Sequence, residues 1–393
     1  MNDQPFLVAG GGIAGLAAAL ALSSRGAPVR LFEQAKSFEE VGAGLQMSPN
    51  GVRALRELGA WEAIEPSCVI PSEIHVRDGM SGALLQRIRL GKPFEERFGA
   101  PYRVCHRADL LAGLLTAARN RPSVELNTAR KAVSATSSGT SASIGFADGT
   151  SAAGQAVIAA DGIRSALRAA VAEASDPQAR NTIIYRALMP IGKLPPDIEP
   201  DCVTLWLCRG GHVVHYAVSS WRNFNIVAAC DGDVTENGWN APANFTEVTR
   251  RFPGVCPDLA DLLVAPANWL RWPGADLAPL PRWSNGRIVL AGDAAHATLP
   301  FLAQGAVMSL EDAVVLGRAV AGQPGLEAAF AAYEAERKPR TARIQDQSRK
   351  MGHIYHAAGA LAFFRNLTLN FSSPSMALNR VDWIYHWSPS GPG

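Results

Sequence analysis

The stretch VAGGGIAGLAAAL, Val8 to Leu20, constrains this chain more than any other part of it. A short apolar strand, PFLVAG, runs into three consecutive glycines, and Ala/Leu-rich helical text continues from Ile13 to about Arg25. Gly26 stops that helix, and PVRLFEQ follows as a second strand. Strand, glycine turn, helix and strand at this spacing make a βαβ unit, with a right-handed crossover and a parallel pair. The chain therefore opens as an α/β fold.

Gly10, Gly12 and Gly15 occupy the GxGxxG positions. Such a turn brings backbone close to a pyrophosphate, and the helix behind it supplies N–H groups and partial positive charge. Glu33 closes the second strand, 23 residues after Gly10. A carboxylate there accepts hydrogen bonds from ribose hydroxyls. A glycine turn kept only for packing would leave Glu33 without a purpose. The reading is dinucleotide binding, with NAD and FAD both open at this point.

The 393 residues allow about two or three structural units. Lys plus Arg is 37 against 35 Asp plus Glu, so there is no basic footprint for nucleic acid. The six cysteines form no CxxC and no Cys/His set with metal spacing. They are expected to be reduced thiols, with no metal bound. IAGLAAALAL resembles the core of a signal peptide, but Asp3 rather than Lys or Arg precedes it, and it is too short to span a bilayer. A cytoplasmic protein without membrane or nucleic-acid partners is expected.

Further along, SPNGVRALRELGAWEAI reads as a helix begun at Ser48-Pro49 and broken by Gly59. EIHVRDGMSGALLQRIRL is a hairpin with Asp78-Gly79 near its turn, and HRADLLAGLLTAAR is a helix. VELNTARKAVSATSSGTSASIGFADGT reads as a meander of exposed strands, and AGQAVIAADGIRSALRAAV as strand, turn and helix. A β-rich, aromatic-rich region follows, until IVLAGDAAH resumes the earlier style at Ile288 and helices run to the end. The expected architecture is a Rossmann-like α/β domain of residues 1–72, 98–180 and 272–335, interleaved with a β-rich substrate domain of 73–97 and 181–271. Helical residues 336–393 close the chain.

Two further strands end on acids, at Asp161 in VIAADGIRSALR and at Asp293 in IVLAGDAAH. A simple nicotinamide dehydrogenase needs neither. The blocks GGGIAGLAAALAL, GAGLQMSPNGVRAL, HRADL, AADGIRSALR, GDAAHATLPFLAQGAVMSLEDA and VDWIYHW extend from near the start of the chain to Trp387. In this order they resemble the single-component FAD-dependent aromatic hydroxylases. These are group A flavoprotein monooxygenases of the para-hydroxybenzoate hydroxylase fold, and the nearer match is the salicylate hydroxylase-like branch.

The resemblance implies FAD as cofactor, NADH or NADPH as co-substrate, and hydroxylation of a small aromatic ring by O2 through a flavin C4a-hydroperoxide. Salicylate, hydroxybenzoates and hydroxynicotinates are the implied substrate class. With a single GxGxxG, the reduced nicotinamide has no Rossmann site of its own and docks on the flavin domain. Asp293 would accept hydrogen bonds from ribityl hydroxyls, and Gly292 would let backbone pass close to the flavin. The helix starting near Gly305 would aim N–H groups at the flavin edge where charge gathers on reduction, with acids held off until Glu311 and Asp312. Arg107 matches a position near pyrophosphate and ribityl, and Gln46 one near the flavin. Asp161 matches a position touching both FAD and nicotinamide, although it could equally cap the helix after it.

In GGHVVHYAV, alternation puts His212, Val214 and Tyr216 on one strand face and His215 on the other. The resemblance turns His212 and Tyr216 toward the substrate as catalytic residues. A neutral histidine or a tyrosine-linked relay there would help form the more nucleophilic phenolate. Tyr216 could equally anchor a substrate carboxylate, and His296 is expected to brace its loop. Ala297 stands where the family often has proline, and Met47 where it often has histidine or another hydrophobic residue, which leaves the substrate open. Two other readings stay alive. One is a same-fold epoxidase or hydroxylase of an isoprenoid or quinone ring, with the apolar run at 357–369 as its support. The other is a non-enzymatic flavin-binding sensor. Monomer and homodimer are both open.

Overall fold

The computed structural model describes residues 4–38, 43–172, 176–232 and 240–391. Its first sheet has six strands, in spatial order Ser284–Asn285, Ile288–Leu290, Ala156–Ala159, Phe6–Ala9, Val29–Phe32 and Val124–Asn127. Every neighbouring pair except the first is parallel. Phe6–Ala9 and Ala156–Ala159 are buried at every position, as strands covered on both faces must be. Leaving Phe6–Ala9, the chain turns toward Val29–Phe32, while the opposite neighbour comes from a much later segment. The carboxyl ends of these strands therefore flank a topological switch point, where open α/β sheets leave a crevice.

Two local expectations are corrected here. Val124–Asn127 does not belong to the exposed meander but joins the parallel sheet beside Val29–Phe32, because Val124 and Leu126 pack against the main core. Only Ala132–Ser138, Ser141–Phe146 and Ser151–Gly154 form the antiparallel meander. The helix expected after Asp161 is instead a turn followed by a 3-10 segment, Leu167–Ala170. Asp161 accepts from Ser165 Oγ at 2.6 Å and from Leu167 N at 3.1 Å, which draws the chain into a compact cap in place of a regular first turn.

The second sheet has eight strands, in the order Ala241–Ala243, Trp269–Asp276, Gln178–Pro190, Asn223–Asp231, Gly211–Val218, Cys202–Cys208, Glu73–Asp78 and Leu84–Arg89. The hairpin at residues 73–89 thus completes a sheet otherwise built from residues 178–276, pairing in parallel with Cys202–Cys208.

Helix Ile13–Ser23 is apolar on all sides and almost wholly buried, as a central helix must be. Helix Gly305–Gly322 packs on it so closely that a Cβ at Gly317 would lie 3.0 Å from Ala21 Cβ. The thirty-residue helix Leu326–Tyr355 then covers Gly305–Gly322. A buried ionic cluster joins those two helices. Arg337 Nη1 donates to Glu311 Oε2 at 2.6 Å and its Nε to Asp312 Oδ1 at 2.7 Å, while Arg340 and Asn50 also donate to Glu311. Burial alone would raise both carboxyls. For Glu311 the cations Arg337 and Arg340 outweigh it, and for Asp312 the partners His296 and Arg337 do, so both sit below their usual range. A depressed carboxyl contributes its stability in full at neutral pH and loses it as pH falls through the folded value. Arg337→Met removes the cation that the two carboxylates share, leaving Glu311 to Arg340 and Asp312 to His296, and urea unfolding at neutral pH is expected to show a loss of about 3–5 kcal/mol. The deficit should narrow in acid. A loss below about 1 kcal/mol would mean the cluster does not hold the helices together.

Candidate active site

A cavity lies at the carboxyl ends of the parallel strands, facing the broad side of the eight-stranded sheet. One wall is made by Gly12, Ile13, Ala14, residues 43–46, Arg107, Ala160, Gly162, Asp293, Thr298, Pro300 and Ala303, with the helix residues Gly305, Ala306 and Ser309. The other consists of Arg186, His212, Val214, Tyr216, Val227 and Ala229. Of the residues singled out in the sequence, Gly12, Gln46, Arg107, Asp293, Gly305, His212 and Tyr216 line this cavity. Gly10, Gly15, Glu33, Asp161 and Gly292 stand outside the lining.

The glycines divide by what surrounds them. Gly10 has φ +106°, and a Cβ there would lie 2.2 Å from Ala160 O; one at Gly15 would lie 1.9 Å from Gly10 O. Gly292 has φ +61°, and its Cβ would fall 2.6 Å from Ala14 Cβ. These three permit strand, turn and helix to touch. Gly12 is the opposite case, since a Cβ there meets no atom within 4 Å. The turn is closed everywhere except where a ligand would pass. Glu33 accepts from Gly11 N at 2.6 Å and from Ala35 N at 2.8 Å. It braces the turn and retains lone pairs for a ribose. Asp161 acts as the cap described above, and its neighbour Gly162 reaches the cavity.

This wall fits a flavin dinucleotide. Gly12 leaves a cradle open, and Asp293 places a half-buried carboxylate on the cavity. Thr298 Oγ1 is buried there without a hydrogen-bond partner among the described residues. Helix Gly305–Gly322 starts at the cavity with no acid in its first turn. Its first acids, Glu311 and Asp312, are fully buried and held by Arg337, so the helix end keeps its positive character toward an electron-rich ligand.

On the opposite wall, His212 Nδ1 lies 3.0 Å from His356 Nε2, and the rings of Phe301 and Tyr355 meet His212 edge-on. Burial, reinforced by His356, holds His212 well below the usual histidine range, so it is neutral at physiological pH. Burial pushes the Tyr216 hydroxyl up, which makes it a hydrogen-bond donor and not a base. Tyr102 Oη donates to Gln46 Oε1 at 2.6 Å and fixes that amide. His215 points to the other face, where Trp206 Nε1 donates to it at 2.9 Å and burial pushes it down to about 3. His296 Nε2 sits 2.5 Å from Asp312 Oδ2 beside the Trp283 ring, bracing its loop.

Two residues escape the sequence reading: Arg186, which lines this wall, and His356, which backs it against His212. Arg186 lies on strand Gln178–Pro190 with its guanidinium 5.0 Å from the Trp272 ring centroid. The signal available for it was a lone cation inside the apolar text TIIYRAL. His356 follows the end of the long helix, and nothing local marks it.

A profile of the FAD binding domain matches residues 3–348. This chain belongs to the FAD binding domain family. It is 37% identical over 388 residues to 3-hydroxybenzoate 6-hydroxylase of Polaromonas naphthalenivorans (strain CJ2), covering 98% of this chain and 96% of that one. Its structure is similar to Klebsiella pneumoniae HpxO complexed with FAD and uric acid, at TM-score 0.87 and 28% identity, covering 100% and 98% of the two chains. It is also similar to a salicylate hydroxylase substrate complex, at TM-score 0.82 and 26% identity, covering 98% and 96%. FAD is the cofactor of this flavoprotein, and the expected fold, branch and monooxygenase class hold.

Two alanine variants of the flavoprotein separate the glycine roles. Gly10→Ala should lower apoprotein stability by more than about 2 kcal/mol, through strain and overlap. Gly12→Ala should leave the apoprotein within about 1 kcal/mol of the parent, yet weaken FAD binding about tenfold or more in a flavin-fluorescence titration. Parent-like FAD affinity in Gly12→Ala would mean that the turn does not cradle the dinucleotide.

Proposed function

We propose that this flavoprotein hydroxylates the ring of a small phenolic carboxylic acid of the hydroxybenzoate class, using NADH or NADPH and O2. The observation that carries the reading is a neutral, cavity-lining His212 opposite a helix end kept free of acids. The residues that would hold FAD are the turn at Gly10, Gly12 and Gly15, Glu33, Gln46, Arg107, Asp293 and Gly305, with Gly292 allowing the close approach. Bound FAD would take a hydride from the nicotinamide and, once reduced, supply one atom of O2 to the ring. In this reading residues 1–72, 98–180 and 272–335 form the flavin-binding unit on which the nicotinamide docks. Residues 73–97 and 181–271 form the substrate unit.

The chain's own side chains prepare the substrate. His212 Nε2 accepts the phenol proton, and the phenolate left behind is the better nucleophile for an electrophilic oxygen. Arg186, the cation on the sheet side, pairs with the substrate carboxylate. Tyr216 donates a hydrogen bond to the same ligand. Val214, Val227, Ala229 and Pro300 line the space between and exclude water. The names of the hydroxybenzoate hydroxylase relative and the salicylate hydroxylase neighbour support a carboxylated phenol. No helix among the described residues is long and apolar enough to cross a membrane, and a cytoplasmic setting would supply the nicotinamide.

The test is nicotinamide oxidation in air by the yellow protein, with and without 3-hydroxybenzoate, salicylate and phenol, scored for product. His212→Ala should keep its FAD and lose coupled hydroxylation about a hundredfold at neutral pH. Activity should return in part as rising pH ionises the phenol without help. Unchanged coupling in that variant would remove His212 from the chemistry.

A further inference from the structure

We propose that His212, His356 and Asp231 form a proton path from the cavity to solvent, carrying away the proton that the substrate hydroxyl gives up. The inference rests on the reading of the cavity as a phenol site. The path is continuous in the structure: His212 Nδ1 to His356 Nε2 is 3.0 Å, and His356 Nδ1 to Asp231 Oδ1 is 2.6 Å. It also runs outward. His212 lines the cavity, His356 is buried, and the Asp231 side chain is 57% exposed. The three come from two strands and the end of helix Leu326–Tyr355. Gly210 N donates to His356 O at 3.1 Å, which pins the histidine to the turn ahead of the His212 strand.

The chemistry of the groups sets the direction of every hydrogen bond. A carboxylate at Asp231 can only accept, so His356 Nδ1 carries the hydrogen between them. A neutral His356 then accepts at Nε2, so the hydrogen of the His212 contact sits on His212 Nδ1. That leaves a lone pair on His212 Nε2, the nitrogen available to a cavity ligand. Burial holds both histidines below their usual range, with Asp231 partly opposing the effect at His356, so both rings are neutral as this scheme requires.

The transfer balances atom by atom. The substrate O–H bond breaks and a His212 Nε2–H bond forms. The His212 Nδ1 proton moves to His356 Nε2, the His356 Nδ1 proton moves to Asp231 Oδ1, and Asp231 releases it to water. No ring has to store a buried positive charge, because each gives up a proton as it gains one. Reprotonating the phenolate product runs the same path inward and restores both tautomers. A His212 without this exit would hold an imidazolium in an apolar site, which burial disfavours.

The test mixes holoenzyme with 3-hydroxybenzoate in a stopped-flow instrument, in weak buffer with a pH-indicator dye and no nicotinamide. Three signals are read: the flavin absorbance shift on docking, the phenolate band of the ligand, and proton release to the dye. Asp231→Asn preserves the hydrogen-bond acceptor for His356 but cannot take up its proton, and His356→Gln breaks the path in the middle. Both should dock the ligand with affinity within about twofold of the parent, while the phenolate and dye signals slow about tenfold or more. Added imidazole should restore part of the rate in His356→Gln. Parent-like proton release in both variants would overturn the path, as would docking to the parent with no proton released. A parent that shows no flavin shift with 3-hydroxybenzoate or salicylate would defeat the phenol-site reading itself, and the path with it.

Discussion

The carboxylate of Asp312 is the point on which this architecture depends. One oxygen accepts from Gly292 N at 3.0 Å and faces His296 Nε2 at 2.5 Å; the other accepts from Arg337 Nε at 2.7 Å. Three distant stretches thereby converge: the Gly292-Asp293 strand end, the helix that opens at Gly305, and the long helix after it. Gly292 itself stands at φ +61°, where a Cβ would meet Ala14 and Ser309. The same acid would spoil an anion-friendly helix end if it were left bare. Buried and matched by Arg337, it organises the wall without projecting charge into the cavity.

The cavity is thus asymmetric. One wall offers open backbone at Gly12, a carboxylate at Asp293 and an acid-free helix end, which suits a cofactor with hydroxyls along its arm and charge gathering at its ring. The other offers one neutral imidazole, one tyrosine that keeps its proton and one arginine among small apolar side chains. Oxygen transfer to a ring needs both halves: a stabilised electron-rich cofactor and a deprotonated, dry substrate. One solved neighbour, Klebsiella pneumoniae HpxO, is a complex with both FAD and uric acid.

The parts of the molecule legible in the sequence are those set by short-range periodicity. The βαβ opening follows from adjacent residues, and so do the turn glycines and the face shared by His212, Val214 and Tyr216. Val124–Asn127 escaped because an edge strand beside a parallel partner alternates just as a meander strand does. The text after Asp161 looked helical, but a side-chain cap competed with the backbone and won. The contact of His212 with His356 spans 144 residues, and no local pattern encodes a pairing of that kind. Arg186 was visible as an odd cation in apolar text, but its place on the cavity is a product of the sheet order.

The most direct measurement uses isotopically heavy dioxygen. The purified yellow protein is supplied with NADH or NADPH and a hydroxybenzoate, and the product is weighed by mass spectrometry. The account predicts a ring bearing one added heavy oxygen atom for each nicotinamide oxidised. Nicotinamide consumption that yields only peroxide with every phenolic acid tried, or a product whose new oxygen comes from water, would contradict it.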